Sequence, residues 1–474
     1  MTSVARGKRR PSRQAVVARG TLAFMTVLVA GVGCRGKHSS ASSSGGAQPE
    51  DPATITPSPS GTSLGDIVAK ATEPYWSPAH VLVLPSSPDV QDNKALNELI
   101  SHQAGKCGLR EVADGVYANL QCHPFEPIPG SRDVFTPGKM DLLKKGKLHV
   151  SRGNPIPKGD RTEVLPDNVD HRIDNFEGPI KNQGAVGACT AFSLSTVMDN
   201  AILRLQAAED AGPPGGKDPR DAKEAAGWAM SPMHIWSMYG FPSMKQAGEA
   251  MLHKEVAPLS VWPYSPRQAC ELERGGEQQC GQAYHVRAGS GTHDPAIERM
   301  MQKAKQEALY KVAQIDRISS KPVNPDAIAA VLATGADVWI GINVEGRAWT
   351  HLKEQNPVIP DWRQTDGGHA VALAGYRKAP NGRRQFLVHN SWGGTWGDHG
   401  FGWVNEEMIE KHLEFAYAVR VEDKQGRAAP QTDDMCPENE LIDADTGQCA
   451  QMCPGTTRRV NGQCEGGSAP KKRR

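Results

Sequence analysis

The chain predicts an α+β fold of two lobes with a cleft between them. Apolar positions recur at helical spacing from Ala188 to Thr334, and from Ala336 onward the pattern changes to short strand-like runs. Helices first and strands second is the order of segregated layers. At 474 residues the chain is too long for one core of ordinary size, so about two to four domains are expected.

The elements follow in order. Residues 1–34 read as a signal peptide: a basic leader from Arg6 to Arg19, an apolar run from Thr21 to Gly33, then Cys34. The apolar run is too short to span a bilayer. Cys34 sits where a lipoprotein signal places its lipidated cysteine, with Gly31 three residues before it. Residues 35–64 are rich in Ser, Gly and Pro and read as disordered linker. Residues 65–160 form a small N-terminal domain and a pro-segment candidate. Within it Val81–Leu84 reads as a strand, Asn93–His102 as a helix, and 107–112 with 116–122 as a hairpin around Ala113-Asp114-Gly115.

Ala188 to Gln206 reads as a buried central helix, and the Gly-Pro-Pro-Gly-Gly stretch within 208–225 as an exposed loop. Met230–Tyr239, Ser243–His253 and Asn324–Thr334 read as further helices, the last with Pro325 in its first turn. Pro295–Val312 reads as a charged surface helix. Strands are expected at Val338–Val344, Ala370–Tyr376, Gln385–His389 and Gly400–Val404. Residues 430–466 hold two copies of a C-P…G-Q-C pattern, each too short for a core of its own. Residues 467–474 are a basic tail.

Lys and Arg number 54 against 53 Asp and Glu, so no large single-sign field exists and nucleic acid is excluded as a partner. No oligomer is indicated. Of ten cysteines, setting aside Cys34 and Cys189 leaves eight in local pairs: Cys107/Cys122, Cys270/Cys280, Cys436/Cys449 and Cys453/Cys464. Such pairs outside a reducing cytosol read as disulfides. No cysteine–histidine spacing suits zinc, so no metal or cofactor is implied.

The chemistry concentrates in three places. Gln183-Gly184-Ala185-Val186-Gly187-Ala188-Cys189 puts a thiol at the start of a helix, where unpaired N–H groups favour the thiolate. Gly368-His369-Ala370 supplies an imidazole, and Asn390-Ser391-Trp392-Gly393 an amide able to orient it. Gln183 can offer an N–H to an oxyanion beside the sulfur. A lone cysteine in an apolar helix is ordinarily inert; the context of Gln183, His369 and Asn390 makes Cys189 the nucleophile candidate. His389, next to Asn390 on the opposite strand face, reads as structural.

Over residues 165–422 the chain resembles the papain-like cysteine peptidases. Leu165-Pro166-Asp167 at the start, Lys181-Asn182-Gln183-Gly184, Ser231-Pro232, Trp262-Pro263-Tyr264, Gly368-His369-Ala370-Val371 and Asn390-Ser391-Trp392-Gly393 carry the resemblance in order. It implies a helical lobe and a β-barrel-like lobe, Cys189, His369 and Asn390 as catalytic residues, Gln183 as oxyanion donor, and Trp392 as a cover over the His369–Asn390 contact. A peptide or protein is the implied substrate, and an exported, lipid-anchored cysteine endopeptidase the implied activity. The chain departs from the family at Thr190, Val186 and around Gly240. A non-catalytic surface scaffold binding peptide or partner protein is the alternative expectation.

Overall fold

The computed structural model describes residues 107–135, 140, 165–208, 225–274, 279–284, 286–289 and 294–428, and the backbone of four short strands between 440 and 465. The signal peptide, Cys34, the linker, the strand and helix expected within 81–102, nearly all of the 208–225 loop and the basic tail lie outside the described residues.

Strands β1 (Leu109–Ala113) and β2 (Val116–Asn119) form the expected hairpin, turned through Gly115 at φ 71°. After β3 (Arg132–Asp133) and β4 (Asn168–Asp170) comes the central helix α1 (Cys189–Ala208). Nearly every α1 side chain is buried, polar ones included, and each polar group finds a partner. Ser193 Oγ donates to the Cys189 carbonyl at 2.7 Å and accepts from Trp339 Nε1 at 2.8 Å. Asp199 pairs with Lys181 at 2.7 Å and accepts the Met230 N–H at 2.7 Å.

Helices α2 (Pro232–Tyr239), α3 (Met244–Met251), α4 (Pro266–Leu272), α5 (Gln279–Ala283) and α6 (Pro295–Gln306) follow, with the short strand β5 (Glu255–Val256) among them. Ser231, Ser243, Ser265 and Asp294 cap α2, α3, α4 and α6 by accepting backbone N–H bonds, and three of these helices carry Pro in the first turn. The bridge Cys270–Cys280 joins α4 to α5.

The second half is sheet-rich: β6 (Tyr310–Ser320), α7 (Pro325–Ala333), β7 (Val338–Val344), α8 (Gly346–Trp349), β8 (Gly367–Lys378), β9 (Arg384–His389), β10 (Phe401–Asn405), α9 (Glu406–His412) and β11 (Leu413–Asp423). One sheet runs in the order β10-β9-β8-β7-β11-β6-β3, with β4 on β8 and β5 on β6. Strands β12 to β15 (Glu440–Ile442, Cys449–Gln451, Arg458–Val460, Gln463–Glu465) make two separate hairpins, one in each C-P…G-Q-C copy. No helix among the described residues is long and apolar enough to cross a membrane.

Several elements differ from expectation, three of them for a visible physical reason. The charged helix stops at Gln306, and Tyr310–Ser320 is a strand; its polar side chains are interleaved with buried Val312, Ile315 and Ile318, and those at Asp316 and Arg317 are tied up in ion pairs with Arg132 and Asp133. Strand β11 was not expected, because Glu414 and Glu422 interrupt its apolar run; Lys321 and Lys311 neutralise them. Helix α4 was likewise missed, although Ser265-Pro266 carries a cap and a first-turn proline.

Buried side chains gather in two large groups. One surrounds α1 and includes Phe192, Trp236, Trp262 and Tyr264; the other lies under the sheet and includes Ile340, Leu373, Trp349, Trp392 and Trp396. The described part of the N-terminal region feeds both, Leu109, Tyr117 and Ile128 in the first, Val112 and Leu120 in the second.

Candidate active site

The site is assembled where the first turn of α1 meets the start of β8. Gly184 turns the chain into α1 with φ at 60°, and a Cβ there would stand 2.4 Å from Tyr284 Oη, so only glycine fits. Tyr284 Oη instead accepts the Ala185 N–H at 2.7 Å. Cys189 then opens α1, fully buried. Burial pushes its thiol up to about 11, against hydrogen bonds from the backbone of Ala370, Thr190 and Cys189 itself, which favour the thiolate. The Ala370 contact brings the sulfur beside the residue that follows His369.

His369 lies on β8 and Asn390 just beyond β9, two strands paired edge to edge. His369 Nε2 meets Asn390 Oδ1 at 2.9 Å, so Nε2 carries the proton; that oxygen also accepts the Ser391 N–H at 2.8 Å. The opposite nitrogen, Nδ1, has no hydrogen-bond partner among the described residues. Burial pulls the imidazole down to about 4. Trp392 stacks on the ring at 4.6 Å between centroids and 21° between planes. Trp349 meets the same ring edge-on at 5.7 Å. Gln183 is fixed at its oxygen by Ser391 Oγ at 2.7 Å, while its Nε2 donates to Val186 O at 3.0 Å and Asn119 O at 3.3 Å. All five residues read from the sequence for the site, Gln183, Cys189, His369, Asn390 and Trp392, are therefore gathered in one place. Thr190 holds Tyr239 Oη through its hydroxyl at 2.7 Å.

Two participants were not foreseen. Ser391 positions Gln183, and its place within Asn390-Ser391-Trp392 was the available signal. Trp349 belongs to the four-residue helix α8, too short to show any periodicity.

The N-terminal segment runs across this arrangement. Gln121 and Gly368 exchange two backbone hydrogen bonds, at 2.7 and 2.8 Å. Phe125 packs on Gly341 and Gly368; a Cβ on either would approach its ring to within 2.6 and 2.9 Å. His123 lies against Phe241 at 4.5 Å, and the Ile128 N–H donates to Tyr417 Oη at 3.1 Å. Beneath this segment Cys189 and His369 have no solvent exposure. On the wall near Gly240, that residue's N–H goes to Trp236 O and its carbonyl accepts from Arg274, so neither is open to an extended peptide.

Among the cysteines, Cys270 and Cys280 are bonded. The expected Cys107–Cys122 bridge is not formed: the Cys122 thiol instead donates to the carbonyl of Cys107 at 3.2 Å. Cys436 and Cys453 lie outside the described residues, and only the backbone of Cys449 and Cys464 is described.

A Trp392→Ala variant is expected to lose about 3–5 kcal/mol of stability, the usual cost of emptying a buried tryptophan site. It also opens the His369–Asn390 bond to water. Thermal melting and kcat measured together check both effects; an unchanged kcat would deny Trp392 its covering role.

Residues 243–419 match the family model described as papain family cysteine protease, a window that holds His369, Asn390 and Trp392 and begins after Cys189. A senescence-specific cysteine protease, SAG39, from Oryza sativa subsp. japonica is 24% identical over 275 residues, 57% of this chain and 68% of the relative. Cathepsin 7 from Mus musculus is 21% identical over 298 residues, covering 61% and 74%. Among solved structures, xylellain, a cysteine protease from Xylella fastidiosa, aligns at 20% identity and TM-score 0.41, over 65% of this chain and 97% of its own.

Proposed function

We propose that this cysteine-type peptidase is an exported endopeptidase with a papain-like domain, held latent by its own N-terminal segment. The observation that carries the reading is the His369–Asn390 pair at the N-terminus of the Cys189 helix, under Trp392. Two lobes flank the cleft in this reading, helical on the Cys189 side and sheet-built on the His369 side.

In the proposed reaction Cys189 shares its proton with His369 Nδ1, the ring nitrogen that is without a partner among the described residues. The thiolate attacks the scissile carbonyl, and the oxyanion is met by Gln183 Nε2 and the backbone N–H of Cys189. His369 passes its proton to the leaving amine, giving a thioester. Water, activated by the same imidazole, releases the acid and restores the thiol. Asn390 holds the ring in one orientation throughout.

The latent state is supported by the occupant of the oxyanion site. The carbonyl of Asn119 stands where Gln183 Nε2 would meet substrate, and Gln121 takes the backbone bonds of Gly368. Export is supported by the leader, by Cys34 as a lipid attachment point, and by the Cys270–Cys280 bridge, which fits an oxidising compartment. The pairings Cys436/Cys449 and Cys453/Cys464 belong to the same proposal.

Replacing Gln183 by Ala is expected to lower kcat about 100- to 1000-fold with a smaller change in KM, as loss of one oxyanion donor does. A fluorogenic peptide assay on the processed enzyme measures it. Unchanged kcat would remove Gln183 from the mechanism, and absence of hydrolysis by the parent enzyme would remove the mechanism itself.

A further inference from the structure

A second cluster of titratable groups lies apart from the catalytic set, fully buried. His171 follows β4, Glu177 ends the same loop, Asp337 immediately precedes β7, and His389 closes β9. His171 Nδ1 stands 2.7 Å from Asp337 Oδ1 and 3.9 Å from Glu177 Oε1. His389 Nδ1 stands 2.5 Å from Glu177 Oε2. None of the four side chains is more than 1% exposed.

Three features of this cluster suit a cation. First, His171 Nε2 faces the Leu332 carbonyl at 2.9 Å. A carbonyl only accepts, so Nε2 keeps its hydrogen, and once the proton between Nδ1 and Asp337 Oδ1 is given up, Nδ1 offers the lone pair that a metal takes. Second, Glu177 Oε1 and Asp337 Oδ2 are buried and meet no N–H or hydroxyl donor among the described residues, so a proton shared between the two carboxyls is their one internal bond, although such acceptors belong to the most strongly solvated type of side chain. Third, His171, Glu177 and Asp337 each present a ligand atom within 4.8 Å of the others. Two carboxylates confined this closely cannot both stay ionised without a compensating positive charge. The Arg204 guanidinium acts on Asp337 and His171 from one side, while Asp199 and Asp174 add negative charge from others.

We propose that His171 Nδ1 and the carboxylates of Glu177 and Asp337 bind one divalent transition-metal ion of the zinc type, with His389 holding the outer oxygen of Glu177. The ion displaces the proton that the two carboxyls otherwise share, balances their charge and satisfies the two orphaned oxygens. Nitrogen and oxygen donors in this ratio suit Zn²⁺ and Co²⁺. The ion ties the entry loop of the domain to β7 and to the end of β9, one residue before Asn390. Motif spacing could not show this site, because its ligands come from three separated stretches of chain.

The test uses the full chain carrying Cys189→Ala, so that the catalytic thiol cannot bind the probe. After chelator treatment the protein is titrated with Zn²⁺ and, separately, with Co²⁺. The expected result is one equivalent bound per chain, a rise in Tm of several degrees with Zn²⁺, and visible Co²⁺ absorption of a low-coordinate site. Adding Glu177→Gln or Asp337→Asn is expected to weaken binding at least about 100-fold. Uptake below about a tenth of an equivalent with Tm unmoved would mean a proton-sharing network only, and would overturn the proposal whether or not the further variants fold. Full-strength binding that survives both carboxylate substitutions would overturn it equally.

Discussion

Hydrolysis of a peptide substrate by the uncovered enzyme falls by at least about 10⁴-fold when Cys189 becomes Ala, and by a similar factor when His369 becomes Ala. The two losses are expected to be non-additive. The sulfur cannot attack without giving up its proton, and the imidazole has nothing to activate without the sulfur, so the double variant is no worse than either single one. Asn390→Ala costs less, because the imidazole survives and only its orientation is freed from the 2.9 Å bond. Folding controls are direct: His369 makes no other side-chain hydrogen bond, and the Trp392 and Trp349 rings that enclose it remain. Initial rates on one fluorogenic peptide, with circular dichroism of each variant, decide the matter. Wild-type turnover in either single variant would sink the catalytic assignment.

The second large effect concerns the segment over the cleft. Phe125→Asp places a charge where an aromatic ring packs on Gly341 and Gly368, and Gln121→Pro removes the N–H that donates to the Gly368 carbonyl. Losing about 2 kcal/mol of docking energy is expected to raise the open fraction, and with it the labelling rate of Cys189, roughly 30-fold. A peptide of residues 107–135 added in trans is expected to restore latency. Equal labelling rates for the parent and the Phe125→Asp chain would dissociate the segment from control of the site.

Acid acts in the same direction. In the covered state burial holds His369 near 4 and Cys189 near 11, so both are neutral and the site is chemically idle. Once uncovered, His369 returns toward the ordinary value of about 6.5. Between about 6.5 and 4 the open state therefore binds a proton that the closed state does not, and linkage favours opening as pH falls through that window. The closed state keeps its full advantage above about 6.5. Labelling of the full chain is accordingly expected to quicken from pH 7 to pH 5, with near-ultraviolet circular dichroism showing that the fold persists. A rate that falls over this range in the full chain, but not in the Phe125→Asp chain, would contradict the linkage.

Much of the candidate site was legible in the sequence because its residues lie in short local patterns. Gln183 to Cys189 is a turn leading into a helix start, and Asn390-Ser391-Trp392 keeps orienter and cover within three residues. What could not be read depends on contacts between distant stretches. The pairing of Gln121 with Gly368 leaves no mark on either local sequence, so a hairpin was visible at residues 107–122 but its place in the cleft was not. Strand β11 was hidden because its charged positions are neutralised by lysines from β6 and just after it, which periodicity cannot foresee. His389 read as structural, and its bond to Glu177 agrees with that; the gathering of His171, Glu177 and Asp337 around it required the fold.

The most direct measurement is the mapping by mass spectrometry of a thiol-directed epoxide on the Phe125→Asp chain and on the same chain carrying His369→Ala. The account predicts one adduct, on Cys189, formed rapidly in the first and at most slowly in the second. Modification at Cys107 or Cys122 instead, or equal rates with and without the imidazole, would contradict it.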